Sequence, residues 1–138
     1  MNNDIFNAII NFNDLIGKGK YMTALELAKT IVKILDEKSA QDISMLYVEG
    51  KTVLTEYLVI CTGTSTTHNR ALEGELEFKL GELGEKPLNI EGHEDASWIV
   101  LDYNSVMVHV FTKSAKEFYK LDKLWAEAEN VDISDLLI

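Results

Sequence analysis

From Tyr57 to Cys61 the chain carries Tyr-Leu-Val-Ile-Cys with no polar residue between them, followed by Thr62 and Gly63. A strand with one wet face alternates apolar and polar side chains, because successive residues point to opposite sides. An unbroken apolar run requires cover on both faces, which places this segment at the centre of a sheet. The same run is far too short to cross a bilayer. The fold must therefore supply neighbouring strands on either side of Tyr57–Thr62 and apolar layers above and below it.

The flanking sequence contains candidates for both. Ala24, Leu27, Ala28, Ile31, Ile34 and Leu35 recur at helical spacing, with Glu26, Lys33 and Glu37 largely on other sides, which predicts an amphipathic helix over Thr23–Lys38. A strand is expected over Ile43–Val48, joined to the central strand by a polar turn-like link, Glu49–Glu56, short enough for antiparallel neighbours. After Gly63, the run Thr64–Thr67 offers a helix cap. Leu72, Leu76, Leu80 and Leu83 then make one stripe that Glu73, Glu77 and Lys79 avoid, and Gly84 and Pro87 end the helix. Strands are predicted over Leu88–Glu91, Trp98–Asp102 and Val106–Phe111, the last two forming a hairpin about Tyr103–Ser105. Ser114 and Glu117 have capping-box spacing and predict a short helix to Lys120, beyond which Leu121, Leu124 and Trp125 are expected to pack back on the sheet. The order predicts a single α/β (α+β) domain with a mixed five-stranded sheet and helices mainly on one face. Residues Met1–Lys20 read as a short helix and loose link, an extension outside a domain spanning 21–131, and 132–138 reads as a tail.

Charge narrows the choice of partner. Thirteen Lys and Arg against 23 Asp and Glu give a net charge of −10, which disfavours direct binding to a phosphate backbone and favours a basic protein. The single cysteine, Cys61, lies in the buried strand, which excludes an internal disulfide and reads as filler rather than a reactive thiol. The amino terminus lacks a basic stretch followed by an apolar core and cleavage site, so the expected location is cytoplasmic, with no membrane association.

No constellation supports catalysis. The Gly63–Thr67 turn joins a buried strand to a helix, where backbone amides can hold an anion. It lacks the Gly-x-x-x-x-Gly-Lys-Ser/Thr pattern, and a cap by Ser65 or a neighbouring threonine accounts for its composition. A nucleotide-binding transferase built on this turn is the alternative reading. Such a site needs two or three carboxylates for metal ions, and none follow Ser65 at useful spacing; Glu75 and Glu77 diverge on a helix. His68, His93 and His109 are scattered, so no metal site or cofactor is expected. The hairpin is more informative. Trp98, Val100 and Asp102 share one face, Ile99 and Leu101 the other, and Met107, His109 and Phe111 share a face of the next strand. Trp98 is either core or an aromatic anchor beside acids, suited to a basic protein surface.

Five stretches then appear in order: Tyr57–Ser65, Pro87–Gly92, Trp98–Tyr103, Val106–Phe111 and Glu117–Trp125. Together they resemble the signatures of the ribosomal silencing factor S (Iojap-type) family over about Tyr21–Val131. The resemblance implies a nucleotidyltransferase-like fold without catalytic acids and a non-enzymatic translational repressor. It implies binding to protein fourteen of the large ribosomal subunit and a steric block to joining of the small subunit. Carried onto this sequence, the partner surface is Trp98, Asp102 and Tyr103, with His109 and Phe111 on the adjoining strand. Gly63, Thr64, Ser65, Glu91 and Gly92 match the family pattern too and take turn or cap roles. Little or no direct nucleic-acid contact is expected, and a homodimer is compatible with this reading.

Overall fold

The computed structural model describes residues 22–50, 55–119, 126 and 128–138. The expected amino-terminal helix, most of the link after Gly50, and Leu121, Leu124 and Trp125 lie outside the described residues.

Helix α1 spans Ala24–Glu37 and is started by a reciprocal cap: Thr23 Oγ1 accepts the Glu26 amide at 3.1 Å, and the Glu26 carboxylate accepts the Thr23 amide at 2.8 Å. That pairing fixes the first turn. The stripe Leu27, Ala28, Ile31, Ile34 and Leu35 is buried as its spacing requires. The helix closes where Ser39 takes φ +65 and the Ala40 amide reaches back to the Leu35 carbonyl at 3.0 Å.

Strands β1 (Gln41–Tyr47) and β2 (Tyr57–Gly63) follow as an antiparallel pair. Helix α2 (Thr66–Glu82) leads through β3 (Asn89–Glu91) to the hairpin β4 (Trp98–Asp102) and β5 (Val106–Thr112). Helix α3 covers Lys113–Tyr119, and β6 is the pair Glu129–Asn130. The sheet order is β3-β4-β5-β2-β1-β6, with β2 and β5 parallel and every other pair antiparallel. The sheet thus has six strands rather than five. The sixth contributes two residues opposite Leu46 and Tyr47, too few to show a period of two.

Central placement of β2 is confirmed, and all of Leu58–Gly63 is buried. Met45, Val59, Cys61, Ile99, Leu101, Val106, Val108 and Val110 point to the side covered by α1 and α2 and form the main core with Leu72, Leu76 and Leu80. Leu46, Val48, Leu58, Ile60 and Phe111 point to the other side, where Ala115 of α3 packs on them. Among the described residues, two helices on one face and one short helix on the other agree with the sequence expectation. Helix α3 begins one residue early, capped by Thr112, whose hydroxyl accepts the Ala115 amide at 3.3 Å, and not by Ser114. Ile133 and Leu136 of the carboxyl-terminal segment are buried in the main core, and the Ile138 amide donates to Asp36 at 2.8 Å, so residues beyond 131 pack against the domain.

Glu73 departs from its helical neighbours. It is buried, and His93 from the loop before β4 meets its carboxylate at 2.6 Å. Burying a carboxylate is tolerable only with such a partner. The same loop contains Gly92 at φ +83, where a Cβ would stand 2.0 Å from the Trp98 carbonyl oxygen. Glycine there is required both by conformation and by space.

A candidate partner-binding face on the sheet

Directly paired residues of an antiparallel ladder project to the same face. The register sets Trp98 opposite Phe111, Val100 opposite His109, and Asp102 opposite Met107. All six therefore share the face opposite α1 and α2. On the outer side, Asn89 and Glu91 of β3 pair with Asp102 and Val100 and extend the same surface. Val100, Met107, Asp102 and Trp98 are half-buried, while Asn89 and Glu91 are exposed. The result is a shallow apolar strip with an indole at one end and carboxylates along its rim.

Trp98 is held from several directions. Its indole N–H donates to His109 Nδ1 at 3.0 Å. The Phe111 ring lies 5.1 Å away and the Tyr119 ring of α3 lies 5.0 Å away, centroid to centroid. Phe118 stands edge-on to Tyr119 and is 77 % exposed. The burial of His109 pushes its imidazole down to about 4, so the ring is neutral near pH 7. With Nδ1 accepting from the indole, the hydrogen of that neutral ring resides on Nε2.

The residues named from the sequence divide into three groups. Trp98, His109 and Phe111 come together as one aromatic cluster. Asp102 shares their face but sits at the far end of the hairpin, where its carboxylate accepts the Asn104 amide at 2.8 Å and tightens the turn. Tyr103 is on the other side, 5 % exposed and packed in the helix-side core. Its hydroxyl is pushed above the ordinary phenol range by burial, with Glu77, Glu85 and Glu73 adding repulsion. Val100 and Met107, placed on these strand faces by the sequence, complete the face, and Tyr119 and Phe118 join it without having been named. Strand parity placed Val100 and Met107; the two rings on α3 depend on how that helix docks.

The Gly63 turn is occupied by its own side chains. Ser65 Oγ caps α2 by accepting the His68 amide at 3.0 Å. The Thr64 amide donates to His68 Nδ1 at 2.9 Å, and the other ring nitrogen meets the Lys38 carbonyl at 2.8 Å. Nδ1 therefore presents a lone pair and Nε2 a proton, and the ring ties the end of α1 to the start of α2. The Thr64 and His68 amides are both used within the chain. Among the described residues, no group of three or more His, Cys, Asp or Glu is arranged to hold a metal ion, and no helix is long and apolar enough to cross a membrane. Cys61 is fully buried and its thiol is pushed up to about 12, as expected for a packed side chain.

Comparison with known proteins gives one consistent result. The family described as "ribosomal silencing factor during starvation" matches residues 21–137. A ribosomal silencing factor of Bacillus subtilis is 36 % identical over 109 residues, covering 76 % of this chain and 92 % of that protein. A mouse protein named for mitochondrial assembly of the ribosomal large subunit is 32 % identical over 98 residues, covering 69 % of this chain and 43 % of its own length. Among solved structures, a Chromobacterium violaceum protein superimposes with a TM-score of 0.73 at 30 % identity, covering 76 % of this chain and 88 % of that one. The match spans every element from α1 to the carboxyl-terminal turn, and the chain belongs to the ribosomal silencing factor family.

Proposed function

We propose that this protein is a ribosome-associated translational silencer that docks on the large ribosomal subunit through its protein fourteen and sterically blocks joining of the small subunit. Family membership supports the ribosome-associated silencing role, which is regulatory rather than enzymatic. The name of the mouse relative supports the large subunit as the particle engaged. The observation that favours the sheet face as the docking surface is the Trp98 cluster: a half-buried indole at the end of an apolar strip rimmed by Asp102 and Glu91. Interface energy concentrates in such aromatic anchors, and acids at the rim steer a basic partner. Of the residues named from the sequence, Trp98 and Asp102 offer surface to the partner, His109 and Phe111 support the indole, and Tyr103, buried on the opposite face, supports the hairpin from beneath without touching the partner.

The net charge of −10 argues for a protein contact over a phosphate contact, and the proposed setting is the cytoplasm. A homodimer is compatible with this reading. The test is sedimentation of the full chain with isolated large and small subunits at physiological salt, followed by a subunit-joining assay. Binding to the large subunit alone with fewer joined ribosomes is expected. Binding to neither subunit, or unchanged joining at saturating factor, would overturn the proposal.

A further inference from the structure

Within the aromatic cluster, His109, like the fully buried Phe111, lies too deep for a direct contact. It is 7 % exposed, so it has almost no surface to present. It sits on β5 diagonal to Trp98, since Val100 opposes His109 while Trp98 opposes Phe111. Diagonal neighbours across a ladder are within reach of long aromatic side chains. The reach is used for one bond, from the indole Nε1–H to His109 Nδ1 at 3.0 Å. Phe111 stacks on the imidazole with centroids 6.0 Å apart and planes 14° from parallel, which restricts the acceptor itself.

An indole held only by packing can turn about its side-chain torsions. One held by packing and a directed hydrogen bond has its orientation fixed before any partner arrives, and preorganisation of an anchor lowers the entropy lost on binding. The bond also uses the only polar atom of the indole, so Trp98 presents ring carbon and no free donor.

We infer that His109 is a positioning residue for the docking face, acting through Trp98: it accepts the indole N–H, fixes the ring, and makes the anchor purely apolar toward the partner. The inference rests on the reading of this face as the docking surface. A partner matched to it would place an aliphatic or aromatic side chain on Trp98, with its basic groups directed to the acidic rim. Burial keeps the imidazole neutral, so Nδ1 remains an acceptor through the physiological range.

The test uses the full chain in three variants, His109→Leu, His109→Asn and Trp98→Ala, with sedimentation against isolated large subunits and ¹⁵N spectra of the indole N–H groups. Leucine removes the acceptor. Asparagine places Oδ1 near the position of Nδ1 and keeps it. With the indole donor left unmatched, His109→Leu is expected to weaken binding about tenfold and to shift the Trp98 indole resonance and speed its hydrogen exchange. His109→Asn is expected to restore binding to within about threefold of the parent, with the indole resonance near its original position. Trp125→Phe separates the two indole signals. Should His109→Leu fail to fold, His109→Gln takes its place, since its longer side chain sets the amide oxygen away from the Nδ1 position.

Parent-like affinity in a folded variant lacking the acceptor would overturn the inference. So would an asparagine variant as weak as leucine. Weak binding by Trp98→Ala alongside undiminished binding by His109→Leu would overturn this inference alone. Parent-like binding by Trp98→Ala would overturn the assignment of the face, and the inference with it.

Discussion

Replacing His109 by Asn should change how the stability of this protein depends on pH. In the folded chain burial lowers the imidazole from 6.5 to about 4. The unfolded chain takes up its proton near 6.5, while the folded chain does not until about 4. Between these values the unfolded state binds more protons, so stability falls as the solution is acidified. It is fully present above about pH 6.5, declines through the window, and levels off once the folded form also protonates near pH 4. At about pH 5, roughly 1.5 pH units below the unfolded-chain value, preferential protonation favours the unfolded state by about 2 kcal/mol.

Carboxylates contribute their own slope, so the informative quantity is the difference between the parent and His109→Asn. Urea unfolding of both proteins, followed by far-ultraviolet circular dichroism at about pH 7.5 and about pH 5, measures it directly. The stability advantage of the parent over the variant should shrink by about 2 kcal/mol on acidification. A difference independent of pH would mean that His109 ionises as readily in the fold as in the unfolded chain, and the buried neutral acceptor would be refuted.

Three further outcomes follow from local geometry. Gly92→Ala meets the Trp98 carbonyl oxygen at 2.0 Å on a residue at φ +83, so it should lower stability by about 3 kcal/mol or more, or prevent folding, as read by thermal melting. Ser65→Ala removes the cap of α2 and should cost about 1 kcal/mol in urea unfolding while leaving binding to the large subunit unchanged. Leu76→Ala opens a hole beneath α2, where the leucine is fully buried, and should cost about 3 kcal/mol by the same measurement.

The central part of the fold was legible because it rests on simple periodicities. The apolar run in β2 required cover on both sides, and the stripe in α1 required a core-facing helix; both follow from burial alone. The hairpin residues also carried parity. Trp98, Val100 and Asp102 lie on one face, and the same alternation continued by one residue puts Tyr103 with Ile99 and Leu101 in the helix-side core. The pairing of Trp98 with His109 was less accessible, since it depends on the register that the Tyr103–Ser105 turn imposes on β4 and β5. Strand β6 has only two residues and exists because Leu46 and Tyr47 have an open edge to pair with. Glu73 carried a surface residue's identity, and its burial is set by a histidine 20 positions away. Tyr119 reached Trp98 through the docking angle of α3, which local sequence does not encode.

The measurement that bears most directly on the account is sedimentation of the parent and Trp98→Ala with isolated large ribosomal subunits, at equal concentration and physiological salt. The parent should pellet with the large subunit and not the small one. Trp98→Ala, still folded by its thermal transition, should bind at least tenfold more weakly, as expected for loss of a central aromatic anchor. A folded Trp98→Ala that pellets as the parent does would contradict the sheet face as the docking surface.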